Sequence, residues 1–172
     1  MSAKARRFWP LLCLLVAADC TTKRLAETHL APAHIPHEVL GEYVQFTLAH
    51  NPGAAFSISI GPLSRVVFSV LAVVVLAVLW RLYRDTESSD RWQSVGLALV
   101  AGGALGNLLD RLRSARGVVD FIDIGVGSYR FWTFNFADVA VTTGGVLLAV
   151  LLLRRPQSGP AAERIASEES RP

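Results

Sequence analysis

Four stretches of this chain, residues 8–25, 62–82, 92–109 and 136–153, are apolar over close to the length a helix needs to cross a bilayer. That length is about 20 residues with few charges. Inside lipid every backbone N–H and C=O must be satisfied within the protein, so runs of this kind become helices. A soluble helical bundle would instead show a polar stripe every third or fourth residue, and Val70 to Trp80 shows none. The chain has 172 residues, 52% hydrophobic and only 18% charged. That is room for one domain and too little polar surface for a soluble one. The expectation is a mainly α membrane protein of four transmembrane helices, one integral-membrane domain over 1–153. The polar tail 154–172 is rich in Pro, Ser and Glu, lacks core residues and is expected to be disordered.

The formal charge of +3 does not signal nucleic acid, because the basic residues are scattered and many flank the apolar runs. With the N-terminus inside, Lys4, Arg6, Arg7, Arg81, Arg84, Arg91, Arg154 and Arg155 lie close to the inner ends of the spans. Lys23, Arg24, Arg65, Arg111, Arg113, Arg116 and Arg130 lie outside. The positive-inside rule therefore favours both termini in the cytoplasm by a small margin. The basic lead and first run resemble a secretory signal peptide, but three more spans follow, and the expectation is a retained anchor. Cys13 and Cys20 fall seven positions apart on one helix, about 10 Å at 1.5 Å per residue, too far for a disulfide. They are expected to be buried, inert thiols.

Between the spans, His29 to His37 is expected to be irregular. Tyr43 to Leu48 has strand character, and Asn51-Pro52-Gly53 is a turn from which 54–60 could return as a second strand. Asn51 starts that turn; His50 and Asn51 are also candidates to face a substrate. Ala98, Gly102 and Gly106 recur every four residues, a spacing that lets helices approach closely and makes the third span the central one. Gly117, Gly125 and Gly127 break regular structure between the third and fourth spans. Arg113 and Arg116 are placed to meet lipid headgroups, and Trp132 and Phe134 to sit in an interfacial belt. Asn135 is a cap for the fourth span, with Asp138 in its first turn.

Alternating spans put the end of the first, the end of the third and the start of the fourth on one side. Asp19, Lys23, Asn51, Asn107, Asp110, Arg111, Asp120, Asp123, Asn135 and Asp138 all fall there. The opposite side has only tails and a nine-residue loop, Tyr83 to Arg91. A one-sided polar cluster is expected of a surface-access site. No His-Glu-x-x-His pair is present for zinc, and no serine stands in a glycine-rich bend. Ser57 and Lys23 are not tied together by any pattern. Carboxylates remain. Two that share a site cannot both ionise easily, and such a pair can activate water and protonate a leaving group. Asp19 has Lys23 four residues on, and Asp110 adjoins Arg111, so both suit ion pairs. Asp120, Asp123 and Asp138 have apolar neighbours, and Asp138 would feel the positive end of its helix. Spacing alone does not choose between Asp120 and Asp123. A non-enzymatic alternative is a small carrier or proton-relay protein using the same acids, and a divalent-metal site from the Asp and Asn cluster is a third.

Five stretches carry a family resemblance. They are Asp19-Cys20-Thr21-Thr22-Lys23, Asn51-Pro52-Gly53-Ala54-Ala55-Phe56-Ser57, Gly102 to Arg111 (GGALGNLLDR), Val118-Val119-Asp120-Phe121-Ile122 and Phe134-Asn135-Phe136-Ala137-Asp138. In this order, between four spans, they resemble the lipoprotein signal peptidase (signal peptidase II) family of bacterial inner-membrane aspartic proteases. Cys20 stands where many members have a larger polar residue, and Pro52 lies inside the turn motif. The resemblance implies that Asp120 and Asp138 are the catalytic pair. It implies that Asp19, Lys23, Asn51, Gly53, Asn107, Arg111 and Asn135 line or brace the site. It further implies a diacylglyceryl-modified prolipoprotein as substrate, cut just before its lipidated cysteine, with membrane lipid as the other partner. A small β-cradle and a short helix on the periplasmic side, no cofactor, no metal and a monomer belong to the same expectation.

Overall fold

The computed structural model describes residues 2–53 and 61–154. The expected return strand over 54–60 and the tail beyond 154 lie outside the described residues. The chain runs α1 (Ala3–His29), β1 (Pro36–Leu40), β2 (Val44–Asn51), α2 (Ser64–Asp85), α3 (Arg91–Arg113), β3 (Val118–Val126), β4 (Tyr129–Arg130) and α4 (Phe136–Arg154). All four expected runs are helical, each extended past the apolar run that announced it. Three of them, α2, α3 and α4, are long and apolar enough to cross a membrane. α1 is the longest at 27 residues, but its charged residues, among them Asp19, Lys23, Arg24 and Glu27 in its second half, keep it outside that group. No fifth, short helix occurs among the described residues.

α3 is the centre of the bundle and packs against α1, α2 and α4. Its small residues divide by face. Gly102 and Gly106 meet α1 at Leu15 and Asp19, whereas Gly96 and Gly103 meet α4 at Leu148 and Ala137. A Cβ on Gly103 would overlap the Ala137 carbonyl, and one on Gly106 the Asp19 carboxylate. The stripe noted in the sequence is thus used for close approach within one chain. α2 lies at the edge of the bundle, its valines Val66, Val70, Val74 and Val78 exposed. A helix that stays apolar on its outward face is suited to lipid.

One core cluster, Phe8, Leu79, Tyr83, Leu97, Ala98 and Ala101, joins α1, α2 and α3 at the end away from the sheet. Nearby, Lys4 Nζ donates to the carbonyls of Tyr83, Arg84 and Thr86 at 2.7, 3.0 and 2.6 Å, which satisfies the orphan end of α2. At the other end a four-stranded antiparallel sheet, in the order β1-β2-β3-β4, covers the ends of α1 and α3. Its apolar side forms a second cluster of Ala26, Leu48, Val119 and Phe121.

The strand expected at Tyr43 to Leu48 is present as β2, but its partners among the described residues are β1 and β3. β3 itself was not expected. Its residues VVDFIDIGV are buried in all but the last few positions, so the hydrophobic alternation of a half-exposed strand is missing. β1 also begins inside the stretch expected to be irregular. In the β2–β3 ladder Ala49 lies opposite Asp120 and Asn51 opposite Val118. Gly117 makes this pairing possible. It has φ +91°, and any side chain there would collide with the Asn51 carbonyl.

Candidate active site

Five elements bring their polar ends to one place. Asn135 precedes α4 and caps it. Its Oδ1 accepts from Asp138 N at 3.1 Å, and Asp138 Oδ2 accepts from Asn135 N at 3.0 Å. This reciprocal box satisfies two backbone donors at a helix start and holds the Asp138 carboxylate at the positive end of α4. The second Asp138 oxygen, Oδ1, accepts from Asn107 Nδ2 of α3 at 2.8 Å.

Asn135 is fully buried, and its Nδ2 reaches two acceptors, Asp120 Oδ1 at 2.7 Å and Asn107 Oδ1 at 3.1 Å. One amide thereby links the two carboxylates. Asp120 projects from β3 and is 4% exposed. Burial, and then the negative charge of Asp138, push its pKa up to about 7, against the opposing hydrogen bonds from Asn135 and Asn51. A carboxyl that keeps its proton to near neutrality stands beside a carboxylate surrounded by N–H donors, the asymmetry that divides acid and base roles between two like groups.

Behind the pair, Lys23 of α1 is 1% exposed. Its Nζ lies 2.8 Å from Asp19 Oδ2, 2.9 Å from Asp110 Oδ2 and 2.8 Å from Asn107 Oδ1. Asp19 also accepts from Ala137 N at 3.1 Å, and Asp110 from Val119 N at 3.2 Å. The two carboxylates thus tie α1 and α3 to the first turn of α4 and to β3, next to each candidate catalytic aspartate. Asp110 was expected to pair with Arg111 and pairs with Lys23 instead. Arg111 turns to the other side, donating through Nη2 to the Gly53 carbonyl at 2.7 Å and through Nη1 to the Asn107 carbonyl at 3.1 Å. Gly53 N in turn donates to Asn51 Oδ1 at 2.9 Å. Asn51 therefore starts the turn and also reaches Asp120.

Asp123 does not join this group. It lies three positions after Asp120 along β3, an odd offset, so the two side chains leave opposite faces. It is paired with Arg130 at 2.9 Å and accepts from Thr47 at 3.2 Å. His50 is also turned away, 3.9 Å from Glu27. Burial, reinforced by Arg116, holds its pKa below the usual histidine range. Arg113 and Arg116, expected at headgroups, pair with Glu27 at 2.8 and 3.3 Å and strap the end of α1 to the α3–β3 connection.

The pair faces a cleft of about 440 Å³ lined by Asn51, Asn107, Arg111, Asp120 and Asp138 on its polar side. Phe131, Trp132, Phe134, Val139 and Val141 supply an apolar wall, with Thr142 and Thr143. These wall residues were missed as site residues. Thr142, four positions after Asp138 and hence on the same helix face, was the available signal; the aromatic run before α4 suggested only a membrane belt. Among the described residues no three His, Cys, Asp or Glu side chains come together as a metal site.

Fold and site together define a helical membrane protein with one buried and one half-buried aspartate facing a half-apolar cleft at one end of its bundle. The family model for signal peptidase (SPase) II matches residues 11–154. The lipoprotein signal peptidase of Coxiella burnetii (strain Dugway 5J108-111) is 38% identical over 165 residues, covering 93% of this chain and 99% of that protein. That of Pseudomonas fluorescens is 45% identical over 124 residues, 70% of this chain and 72% of that one. A bacterial membrane enzyme solved by the in meso method at 1.9 Å resolution superposes with a TM-score of 0.73 at 30% identity, covering 84% of this chain and 90% of its own. The chain belongs to the signal peptidase II family.

Proposed function

We propose that this protein is an aspartic endopeptidase that removes signal peptides from diacylglyceryl-modified prolipoproteins, cutting just before the lipidated cysteine. The observation that carries the reading is the Asn135-bridged pair of Asp120 and Asp138, open to a cleft with an apolar wall. Asp138, held among N–H donors, takes a proton from water as the water attacks the scissile carbonyl carbon. Asp120 gives its proton to the carbonyl oxygen. The tetrahedral intermediate then collapses. Asp138 passes its proton to the departing amine, the C–N bond breaks, and Asp120 regains a proton from the hydroxyl that becomes the new carbonyl. The pair returns to its starting state with one water consumed, and no metal is needed.

In this reading residues 1–153 form one membrane domain with α1 as a fourth transmembrane helix. Both termini lie in the cytoplasm, and the cleft and sheet lie at the periplasmic face of the bacterial inner membrane. The basic residues Lys4, Arg6, Arg7, Arg81, Arg84 and Arg91 at the end away from the cleft support that orientation. In the same reading the protein acts as a monomer. Purified protein in detergent should convert a diacylglyceryl-modified prolipoprotein into free signal peptide and a product with an N-terminal lipidated cysteine, identified by mass spectrometry. The unmodified precursor should be left intact, and a chelator should not change the rate. Equal cutting of both precursors, or loss of cutting with chelator, would contradict the reading.

A further inference from the structure

Lys23 has three acceptors around its ammonium: Asp19 Oδ2 and Asp110 Oδ2 on buried carboxylates, and the half-buried Asn107 Oδ1. An ammonium has three donors and no acceptor, so the Asn107 amide can meet it only through oxygen. Asn135 Nδ2 donates to the same oxygen at 3.1 Å. With both of these donors on its oxygen, Asn107 is left to point its NH₂ group at Asp138 Oδ1, 2.8 Å away. We infer that Lys23 is a positioning residue for the proposed reaction. It locks the Asn107 amide in the orientation that donates to Asp138 Oδ1, and so holds the Asp138 carboxylate where it accepts the proton from water. This inference rests on the carboxylate-pair reading above.

The physical reason is a conflict of donors. If Asp138 carried a proton on Oδ1, it would need an acceptor from Asn107. Supplying one means turning the amide over, which would aim its NH₂ at the Lys23 ammonium and at the Asn135 NH₂ together. The buried donors would then be left unpaired, at a cost well above that of a normal exchange of partners. On its other oxygen Asp138 already accepts from Asn135 N. The charged groups that surround it are Asp120 from β3, Arg111 from α3, and the Lys23–Asp19–Asp110 cluster of α1 and α3. Lys23 touches neither member of the pair: its charge acts on Asp120 across space, and its contact with Asp138 runs through Asn107.

Lys23→Met alone would strand two buried carboxylates without their cation, which is strongly destabilising. The useful variant is therefore the triple change Asp19→Asn, Lys23→Met and Asp110→Asn. The new asparagines keep an oxygen for Ala137 N and for Val119 N. The triple change removes two negative charges and one positive, which by itself favours ionised Asp138 and would move the acid limb of the kcat/KM profile to lower pH. Release of the amide acts in the opposite direction. We expect the acid limb to move to higher pH, with kcat down about 10²-fold, KM little changed and a cooperative thermal transition retained. Placing Gln in place of Met at position 23 restores a donor to Asn107 Oδ1 and should return the acid limb to the wild-type position or below. It also keeps the test in hand if the Met variant does not fold.

An acid limb that stays or moves down in the Met variant, or moves up in the Gln variant, would overturn the inference. Asp138→Asn is assayed alongside. If it is inactive while the Met variant's limb is unmoved, the positioning role alone falls. If it keeps activity, the carboxylate pair falls and the positioning role falls with it.

Discussion

At the residue scale the site depends on asparagines as much as on aspartates. Asn135 caps α4, donates to Asp120 and donates to Asn107, which in turn donates to Asp138. The raised pKa of Asp120, about 7, has two consequences. The first concerns rate. The proton that Asp120 supplies is lost above neutrality, so kcat/KM should fall as pH rises through about 7. A profile still rising between pH 7 and 9 would show that this carboxyl is not the acid. The second concerns stability. A carboxyl whose folded pKa lies above its unfolded value of about 3.9 contributes fully below that value, and its contribution is lost as pH rises through about 7. Asp120→Asn removes this loss. Its thermal transition should gain on the wild type between pH 5 and pH 8, although it is inactive. Sequence reasoning reached these residues but not their contacts. Asp120 and Asp123 look alike in VVDFIDIGV, and only the strand that turns them to opposite faces, with Arg130 waiting on one side, separates them. Lys23 was legible as the partner of Asp19 through i,i+4 spacing. Its second partner, Asp110, lies 87 positions on in the numbering, and no local pattern could reveal it.

At the scale of elements, α3 carries the geometry. Its small residues allow α1 and α4 to approach from two sides, and the Gly103 contact is made with the turn of α4 that holds Asp138. Gly103→Ala should therefore lower the thermal transition and the rate together, because the Ala137 carbonyl must retreat and carry Asp138 with it. Gly145→Ala on the same helix as Asp138 meets open space. It should keep full activity and cost nothing, or gain up to about 1 kcal/mol from helix propensity. Equal effects of the two would mean that close packing of α3 on α4 does not set the site. The helices were legible because their apolar runs are long. The central role of α3 was legible from the fourfold spacing of Ala98, Gly102 and Gly106. β3 was not, because a strand covered on both faces loses alternation and its glycines suggested a break. β2 could be named as a strand, but its partners in β3 lie 67 to 80 residues on, and pairing over that distance leaves no local trace.

At the scale of the whole molecule, the polar network sits at one end and the Lys4-capped end of α2, with the Thr86–Asp90 loop, at the other. In a background with Cys13→Ala and Cys20→Ala, a cysteine at Tyr129, which is 87% exposed on β4, should react in intact cells with a thiol reagent that cannot cross the inner membrane. A cysteine at Ser88 should react only after the membrane is opened. The reverse pattern would invert the proposed orientation. The alternation of spans put the polar groups of the site on one side, and the ends of α1 and α3 meet the start of α4 at Lys23, Asn107 and Asp138. The first span differs from the other three, because the second half of α1 carries charged groups of the site. The central claim is that Asp120 and Asp138 together cleave the substrate, and it is tested most directly by one comparison. Cleavage of a diacylglyceryl-modified prolipoprotein is measured for the wild type, Asp120→Asn, Asp138→Asn and Asp123→Asn, each shown to be folded in detergent. The first two variants should lose cleavage by at least about 10³-fold, a loss of about 4 kcal/mol of transition-state stabilisation, while Asp123→Asn should still cut. Loss in Asp123→Asn with activity retained in Asp120→Asn would contradict that claim.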